Sequence, residues 1–436
     1  MSILESVIFM HSLFDLPVIC IFLGAAIVLT IKIRFLQIRG LKILFAILSK
    51  KLSTKSEDVQ TLGSINSFHA LFTAMATTIG MGNMVGPTVA IYAGGPSALF
   101  WLVIYMFFAS ATKYTEVCFA IKTRVKTENG HLIGGPMEYL KLIHPFLAHW
   151  YVAIMMFLFI AWSALQTNTL AAIYAQESVP EWIVGLALAI VVFFILQGGA
   201  KRVGEITSKL VPFMFFLYVT FSMLILLKNP ALITQALSLI FNDIFSLYAA
   251  KGGFFGATML LAVRFGIYRS IYISEAGIGT SSIPHAMANT QNQTTQGILA
   301  LYSMGADILI SIMSGLLILV TGVWLTGDFR STLIYEAFKL HAPGIGQLVL
   351  LVTITLFVLT TVIGNSFNGV QAYASLTNYR FTYAYIIATS IMTFFGAIIQ
   401  TQLAWAVADL LLALVAIPNI LGIVYLAFKM PEVIEV

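Results

Sequence analysis

Apolar runs of about twenty residues recur along this chain from Pro17 to Phe428, and few environments accept such a pattern. A hydrocarbon layer about 30 Å thick is crossed by roughly 20 residues of helix, each rising about 1.5 Å. Barrel strands would instead alternate in polarity over about ten residues, whereas 308–323 and 404–426 are apolar on nearly every side. Of the 436 residues 59% are hydrophobic and 9% charged, against about 25% charged in an average soluble domain. The chain therefore reads as an all-α integral membrane protein.

Eleven spans are expected, near 17–33, 66–91, 97–121, 147–173, 181–198, 208–227, 252–270, 296–325, 346–374, 381–399 and 403–428. With the N-terminus outside and the C-terminus in the cytoplasm, all but four of the 23 lysines and arginines fall inside, Arg264 and Arg269 among them. The exceptions are Lys228, Lys251, Arg330 and Lys339. One span too many or too few would invert every later loop and scramble that asymmetry. No basic leader or small-residue cleavage site accompanies 17–31, so that stretch reads as a retained span and not a signal peptide.

Other function classes are excluded residue by residue. The basic residues lie scattered over short loops, which speaks against nucleic acid, and no obligatory protein partner is evident. Cys20 and Cys118 sit in separate apolar runs and suggest packing, not a disulfide or a metal. No HExxH, nucleophile elbow or P-loop is present, so the chain is not expected to be an enzyme. A channel would call for a repeated filter loop, and none is visible. The longest polar stretches, 50–67, 122–145, 280–296 and 326–346, are loops or interfacial helices, which places function inside the bundle.

Two spans look built to break. The second carries Gly80, Gly82, Gly86, Asn83 and Pro87 near the middle of its crossing. Glycine weakens a helix by about 1 kcal/mol and proline by about 3 kcal/mol, and backbone freed in lipid is tolerated only around a site. Close packing through Gly82-xxx-Gly86 is the plainer alternative. Five spans later, Arg264-Phe265-Gly266-Ile267-Tyr268-Arg269 is expected to interrupt the seventh span before the polar stretch 274–281. That spacing suggests an inverted repeat: 1–60 a peripheral span and basic loop, 61–230 the first five-helix unit, 250–430 the second.

Several segments carry a family resemblance: TTIGMGNMVGPTVAIYAGGPSALFW (Thr77–Trp101), ATKYTEVCFAIKTRVK (Ala111–Lys126), GGPMEYL (Gly134–Leu140), GGAKRVGEITSKLVPFM (Gly198–Met214), SEAGIGTSSIPHA (Ser274–Ala286) and AIPN (Ala416–Asn419). In order and spacing, over roughly residues 10 to 430, the chain resembles the alanine or glycine:cation symporters, also called sodium:alanine symporters, of the leucine-transporter-like fold. The resemblance implies sodium-driven uptake, sometimes with protons, of a small neutral amino acid across a prokaryotic cytoplasmic (inner) membrane by alternating access. Sodium would be the coupling ion, and no further cofactor is implied.

Carried over by position, the resemblance makes Thr78, Gly80, Gly82, Asn83, Gln166, Asn168, Phe265, Gly266 and Asn365 the candidate substrate-binding residues. Thr360 and Thr361, with backbone carbonyls near Gly80, are the candidate sodium ligands. The chemistry is reasonable, because a hard cation prefers oxygen and hydroxyls bind it without burying an unpaired anion. Each candidate has a plain alternative: an interhelical hydrogen bond for Gln166 and Asn168, helix back-bonding for the threonines. The sequence departs from the family where Gly364-Asn365-Ser366-Phe367-Asn368 replaces a tryptophan followed by aromatics, and where Ile273-Ser274 precedes Glu275. Asn365 in place of an indole would enlarge the pocket and suit a larger or more polar neutral amino acid. Among buried charges, Lys113 and Glu116 are expected to pair locally. Asp307 has two readings, ion or proton coupling and a hydrogen bond to a neighbour helix. Asp409 reads as structural, and Arg264 as a partner for Glu275 or Asp307 or as a vestibule residue.

Overall fold

A backbone in hydrocarbon must satisfy its own amides and carbonyls, and this chain does so with helices. The computed structural model describes residues 3–49, 64–228, 230–245, 255–325 and 332–436. In chain order the helices are α1 (Ile3–Lys32), α2 (Leu36–Arg39), α3 (Leu41–Leu48), α4 (Ser67–Thr78), α5 (Gly82–Gly94), α6 (Ala98–Thr123), α7 (Pro136–Tyr139), α8 (Pro145–Ala175), α9 (Glu181–Leu196), α10 (Gly199–Leu227), α11 (Pro230–Phe245), α12 (Phe255–Ser274), α13 (Ser282–Ala286), α14 (Gln293–Thr321), α15 (Leu333–His341), α16 (Ile345–Thr377), α17 (Thr382–Gly396) and α18 (Thr401–Lys429). A short hairpin, β1 (Val125–Lys126) with β2 (Leu132–Ile133), precedes α7.

Six helices among the described residues are long and apolar enough to cross a bilayer: α6, α8, α10, α14, α16 and the 407–429 part of α18. Residues 16–32 of α1, with α9 and α17, form shorter apolar helices. The expected second span is interrupted where α4 gives way to α5. The expected sixth span begins earlier than 208, because 201–209 is not a loop but the first turns of α10. Its burial explains why: Val203, Gly204, Thr207, Val211 and Met214 line one helical face while Lys201, Arg202, Glu205 and Lys209 stay exposed. The expected outside residues Lys251 and Arg330, and the basic residues Lys50, Lys51 and Lys55, lie outside the described residues.

The second expected break is displaced. α12 runs unbroken through 264–269 and ends only at Ser274, and the irregular segment is 275–281. Gly266 is a packing glycine, since a Cβ there would come within 2.5 Å of the Ala98 carbonyl on α6. Small residues do the same elsewhere: Gly297 lies against Cys118 and Tyr114, Gly396 against Ala164 and Gly185 against Ala397.

α6 forms the centre of the bundle, against α1, α12 and α14. α1 reaches further in than its place at the chain's start suggests: fully buried Phe22 meets Gly277. Prolines inside helices free carbonyls one turn back, and for Pro418 that carbonyl, Leu414 O, accepts the Trp150 indole N–H at 3.0 Å. Cys20 is exposed and Cys118 buried, and both are free thiols.

Candidate functional site

Glycine flanks the first break on both sides of Met81, and no i−4 ladder crosses it. Ile79 turns extended (φ −84°, ψ 91°) and α5 restarts at Gly82. Three of the freed backbone groups find a side chain. Thr361 Oγ1 donates to Ile79 O at 3.2 Å, Asn83 Oδ1 accepts from Gly80 N at 3.1 Å, and Gln166 Oε1 accepts from Met81 N at 3.2 Å. The approach of α16 needs glycine, for a Cβ at Gly80 would collide with Thr361 Oγ1. Asn83 Nδ2 donates onward to Asp307 Oδ1 at 3.2 Å. Thr78 back-bonds to Met75 O at 3.5 Å and faces the same carboxylate.

The N-terminus of α5 opens on a narrow cleft. Met81, Gly82, Val85 and Gly86 form one wall, Leu165, Gln166 and Thr169 of α8 another, and Arg269, Tyr272 and Ile273 of α12 with Trp405 of α18 the rest. Its free space, about 20 Å³ for the centres of water-sized spheres, suits one or two waters. Anything larger fits only if a wall side chain moves. One amide at this helix N-terminus, Met81 N, lies on the neutral Gln166 amide oxygen, and helix N-terminal amides as a class favour anionic acceptors.

The second break is buried deeper in side-chain bonds. Glu275 takes a left-handed φ of 54°, and Gly277 and Gly279 follow at φ 92° and 93°, conformations that cost a non-glycine residue about 1 kcal/mol or more. Gly279 has no room for a side chain, because a Cβ there would overlap the Pro136 ring. Asn419 Nδ2 donates to Gly277 O and to Glu116 Oε1, both at 2.8 Å, and Tyr139 donates to Asn419 Oδ1 at 2.7 Å. Tyr151 donates to Ile278 O at 2.9 Å, Asn368 to Thr280 O at 3.3 Å, and the Thr280 hydroxyl to the Glu275 carboxylate.

The structure brings Thr78, Gly80, Gly82, Asn83, Gln166 and Thr361 together at the first break. It leaves the other candidates elsewhere. Thr360 turns its hydroxyl to Leu356 O (2.9 Å), Phe357 O (3.1 Å) and the Met214 sulfur (3.3 Å) on α10. Asn168 clamps the end of α17, donating to Gly396 O at 3.1 Å and Ile399 O at 2.9 Å and accepting from Thr401 at 2.7 Å. Phe265 and Gly266 lie one to two turns before the α12 residues that reach the cleft. Asn365 lies one turn beyond Thr361, 1% exposed, with Oδ1 lacking a hydrogen-bond partner among the described residues.

One charge expectation changes. Lys113 does not pair with Glu116 near a helix end; its ammonium lies 3.6 Å from Asp307 Oδ2 across to α14, and Glu116 is held by Asn419. A contact between distant helices leaves no trace in spacing, whereas an i,i+3 pair does. Arg264 lies mid-α12 by the Phe265 ring at 5.9 Å, while Asp307 and Glu275 are engaged by Lys113, Asn83 and Thr280. Asp409 is buried beside Tyr272. Arg269, expected in an interruption of the seventh span on its cytoplasmic side, lies in unbroken α12 and lines the cleft with its cation 5.4 Å from the Trp405 ring. Its helical offset from Tyr272 and Ile273 is the signal that could have placed it there.

Helices interrupted at two points of one bundle, the first beside a cleft, are an arrangement that secondary transporters use. The fold matches the crystal structure of MhsT in complex with L-phenylalanine at a TM-score of 0.61, over 83% of this chain and 89% of that one at 13% identity. The sequence model of the sodium:alanine symporter family matches residues 2–435, and the chain belongs to that family. It is 33% identical to the sodium/alanine symporter AgcS of Methanococcus maripaludis, over 93% of this chain and 90% of that protein. It is 28% identical to the probable sodium/glutamine symporter GlnT of Bacillus subtilis, over 94% and 85% respectively.

Proposed function

We propose that this protein takes up a small neutral amino acid of the alanine or glycine type, driven by sodium, by alternating access around the first break. The observation that carries the reading is the Thr361 hydroxyl on the Ile79 carbonyl, two oxygens 3.2 Å apart where Gly80 leaves room. They are one edge of an oxygen cage for a hard cation, to be completed by neighbouring carbonyls. Thr360 joins such a cage only by turning its hydroxyl away from Met214. The substrate carboxylate takes the Met81 amide from Gln166, with the Gly82 amide beside it at the start of α5, and the Gln166 amide turns to the ligand. Thr78 and Asn83 support that segment.

The wider arrangement is part of the proposal. Eleven spans, N-terminus outside and C-terminus inside, cross a prokaryotic cytoplasmic membrane. Residues 61–230 and 250–430 are inverted five-helix repeats, a reading supported by one break falling in each, at 79–81 and at 275–281. Asn168, Phe265 and Gly266 act on substrate through the helices they position.

The test is uptake of labelled alanine and glycine into proteoliposomes, with an inward sodium gradient or potassium in its place, for wild type and Thr361→Ala. Sodium-dependent uptake that the variant loses supports both substrate and ion site; uptake unaffected by removing sodium refutes the ion. One observation favours a second reading, a proton-coupled carrier of a larger or more polar neutral amino acid: the unpartnered Oδ1 of buried Asn365 offers an acceptor to a side-chain amide. Competition by glutamine that Asn365→Trp abolishes would select its substrate, and uptake driven by a pH gradient alone its coupling ion.

A further inference from the structure

Beneath the first break a chain of buried contacts ends in a lysine. Asn83 bridges the gap, with Oδ1 on the Gly80 amide and Nδ2 on Asp307 Oδ1. The other carboxylate oxygen, Oδ2, accepts no hydrogen bond among the described residues; what faces it is the Lys113 ammonium at 3.6 Å. Lys113 is 1% exposed, Asp307 and Asn83 0%. The same ammonium lies within electrostatic reach of Glu275 at the second break, and of Glu116 and His285.

A lone carboxylate buried here would be strongly unfavourable. It would also repel the substrate carboxylate that docks on the neighbouring Met81 and Gly82 amides, because like charges a few ångströms apart interact strongly in a medium of low dielectric. A proton on Asp307 or a cation beside it removes that charge while substrate is bound. An exchangeable ion could fill that place. In this chain a side chain fills it, tethered to α6 and unable to leave with the cargo. The Lys113–Asp307 pair also orients Asn83: an acceptor-only carboxylate demands the amide nitrogen, which turns Oδ1 onto Gly80 N.

We propose that Lys113 is the resident cation of the first break, taking the place of a second coupling ion, so that one sodium, held at Ile79 and Thr361, moves with each amino acid. This rests on the sodium reading given above. The wild-type protein in proteoliposomes decides it, by the sodium dependence of alanine uptake and the charge carried per labelled molecule. A Hill slope near one and one charge per alanine are expected. A slope of two with two charges leaves sodium-driven symport standing and overturns the resident cation; uptake indifferent to sodium overturns the reading beneath it.

Variants sharpen the result. Lys113→Met strands the Asp307 charge, so the slope rises towards two and half-saturating sodium rises about tenfold, a typical coupling effect, while Lys113→Arg keeps a slope of one. Unchanged slope and half-saturation in Lys113→Met overturn the proposal. Should that variant fail to fold, Lys113→Gln with Asp307→Asn, a neutral pair of similar volume, has no charge to balance and keeps a slope of one; a slope of two in it overturns the proposal.

Discussion

At the first break the backbone is held by single side-chain bonds near a cleft; at the second it is held by residues that are themselves anchored. Ile79 O, Gly80 N and Met81 N each have one side-chain partner, from Thr361, Asn83 and Gln166. Thr361 and Gln166 have no other described hydrogen bond, so either can let go without stranding a third group. Around 275–281, Asn419 is tied to Glu116, Gly277 and Tyr139 at once, and Tyr151 to Ile278, with Phe22 and Pro136 filling the space beside the two glycines. Both segments solve the problem of bare backbone in hydrocarbon. One does so with replaceable partners, as ligand exchange requires, and the other with a network whose members fail together.

The contrast can be broken most sharply at Gln166. Gln166→Glu puts a tethered carboxylate beside the α5 N-terminus, where it competes with the substrate's own, and uptake is expected to fall about a hundredfold, the order of an effective concentration far above substrate. Near-normal uptake in that variant would show that the Met81 amide does not receive the substrate. Asn419→Ala at the second break should act through stability instead. Three buried groups lose a partner, at about 1–3 kcal/mol each, so the melting temperature in detergent drops while the half-saturating sodium of surviving protein stays unchanged; a sodium shift would make the second break a ligand site as well.

The smallest effect lies outside the bundle. Glu177, in the loop after α8, accepts from the Tyr335 hydroxyl and from Gln347 Nε2 at 2.9 Å, with Lys339 at 3.6 Å, which ties α15 to the end of α8. The Tyr335 bond, then the Lys339 charge and the Gln347 bond, hold its carboxyl below the ordinary value of 4.5. A carboxylate with a lowered folded-state value stabilises above its unfolded value, and that contribution is lost as pH falls through the folded one. The contact is therefore intact at neutral pH and released only under acid conditions below about 4.5. Amide exchange in α15 should be unchanged between pH 7 and pH 5 once corrected for intrinsic rate, and Glu177→Gln should raise it at pH 7.

How far the sequence can be read follows from which signals are local. The first break is legible because glycine, asparagine and proline weaken a helix wherever they stand, and three of its side-chain partners, Asn83, Gln166 and Thr361, follow from the family resemblance. The second break lies about ten residues later than the sequence suggests, since Arg264 and Arg269 resemble a polar interruption. In the folded chain Gly266 packs on Ala98 O and Arg269 lines the cleft beside Trp405, so neither arginine ends α12. Residues 201–209 mislead for the same reason: charge at a helix end looks like loop although the buried face keeps a helical period.

What the amino-acid order determined by itself is the class of structure, because a hydrocarbon layer leaves a chain with these apolar runs hardly any choice but helices, and because glycine and proline weaken them where they fall. Which oxygen meets which amide was decided only in the tertiary structure. Thr360 and Thr361 are neighbours in sequence, yet about 100° of helical rotation sends one hydroxyl to Met214 and the other to Ile79. Lys113 stands three residues from Glu116 but finds its charge partner at Asp307, since helix packing brings together side chains that no spacing along the chain relates.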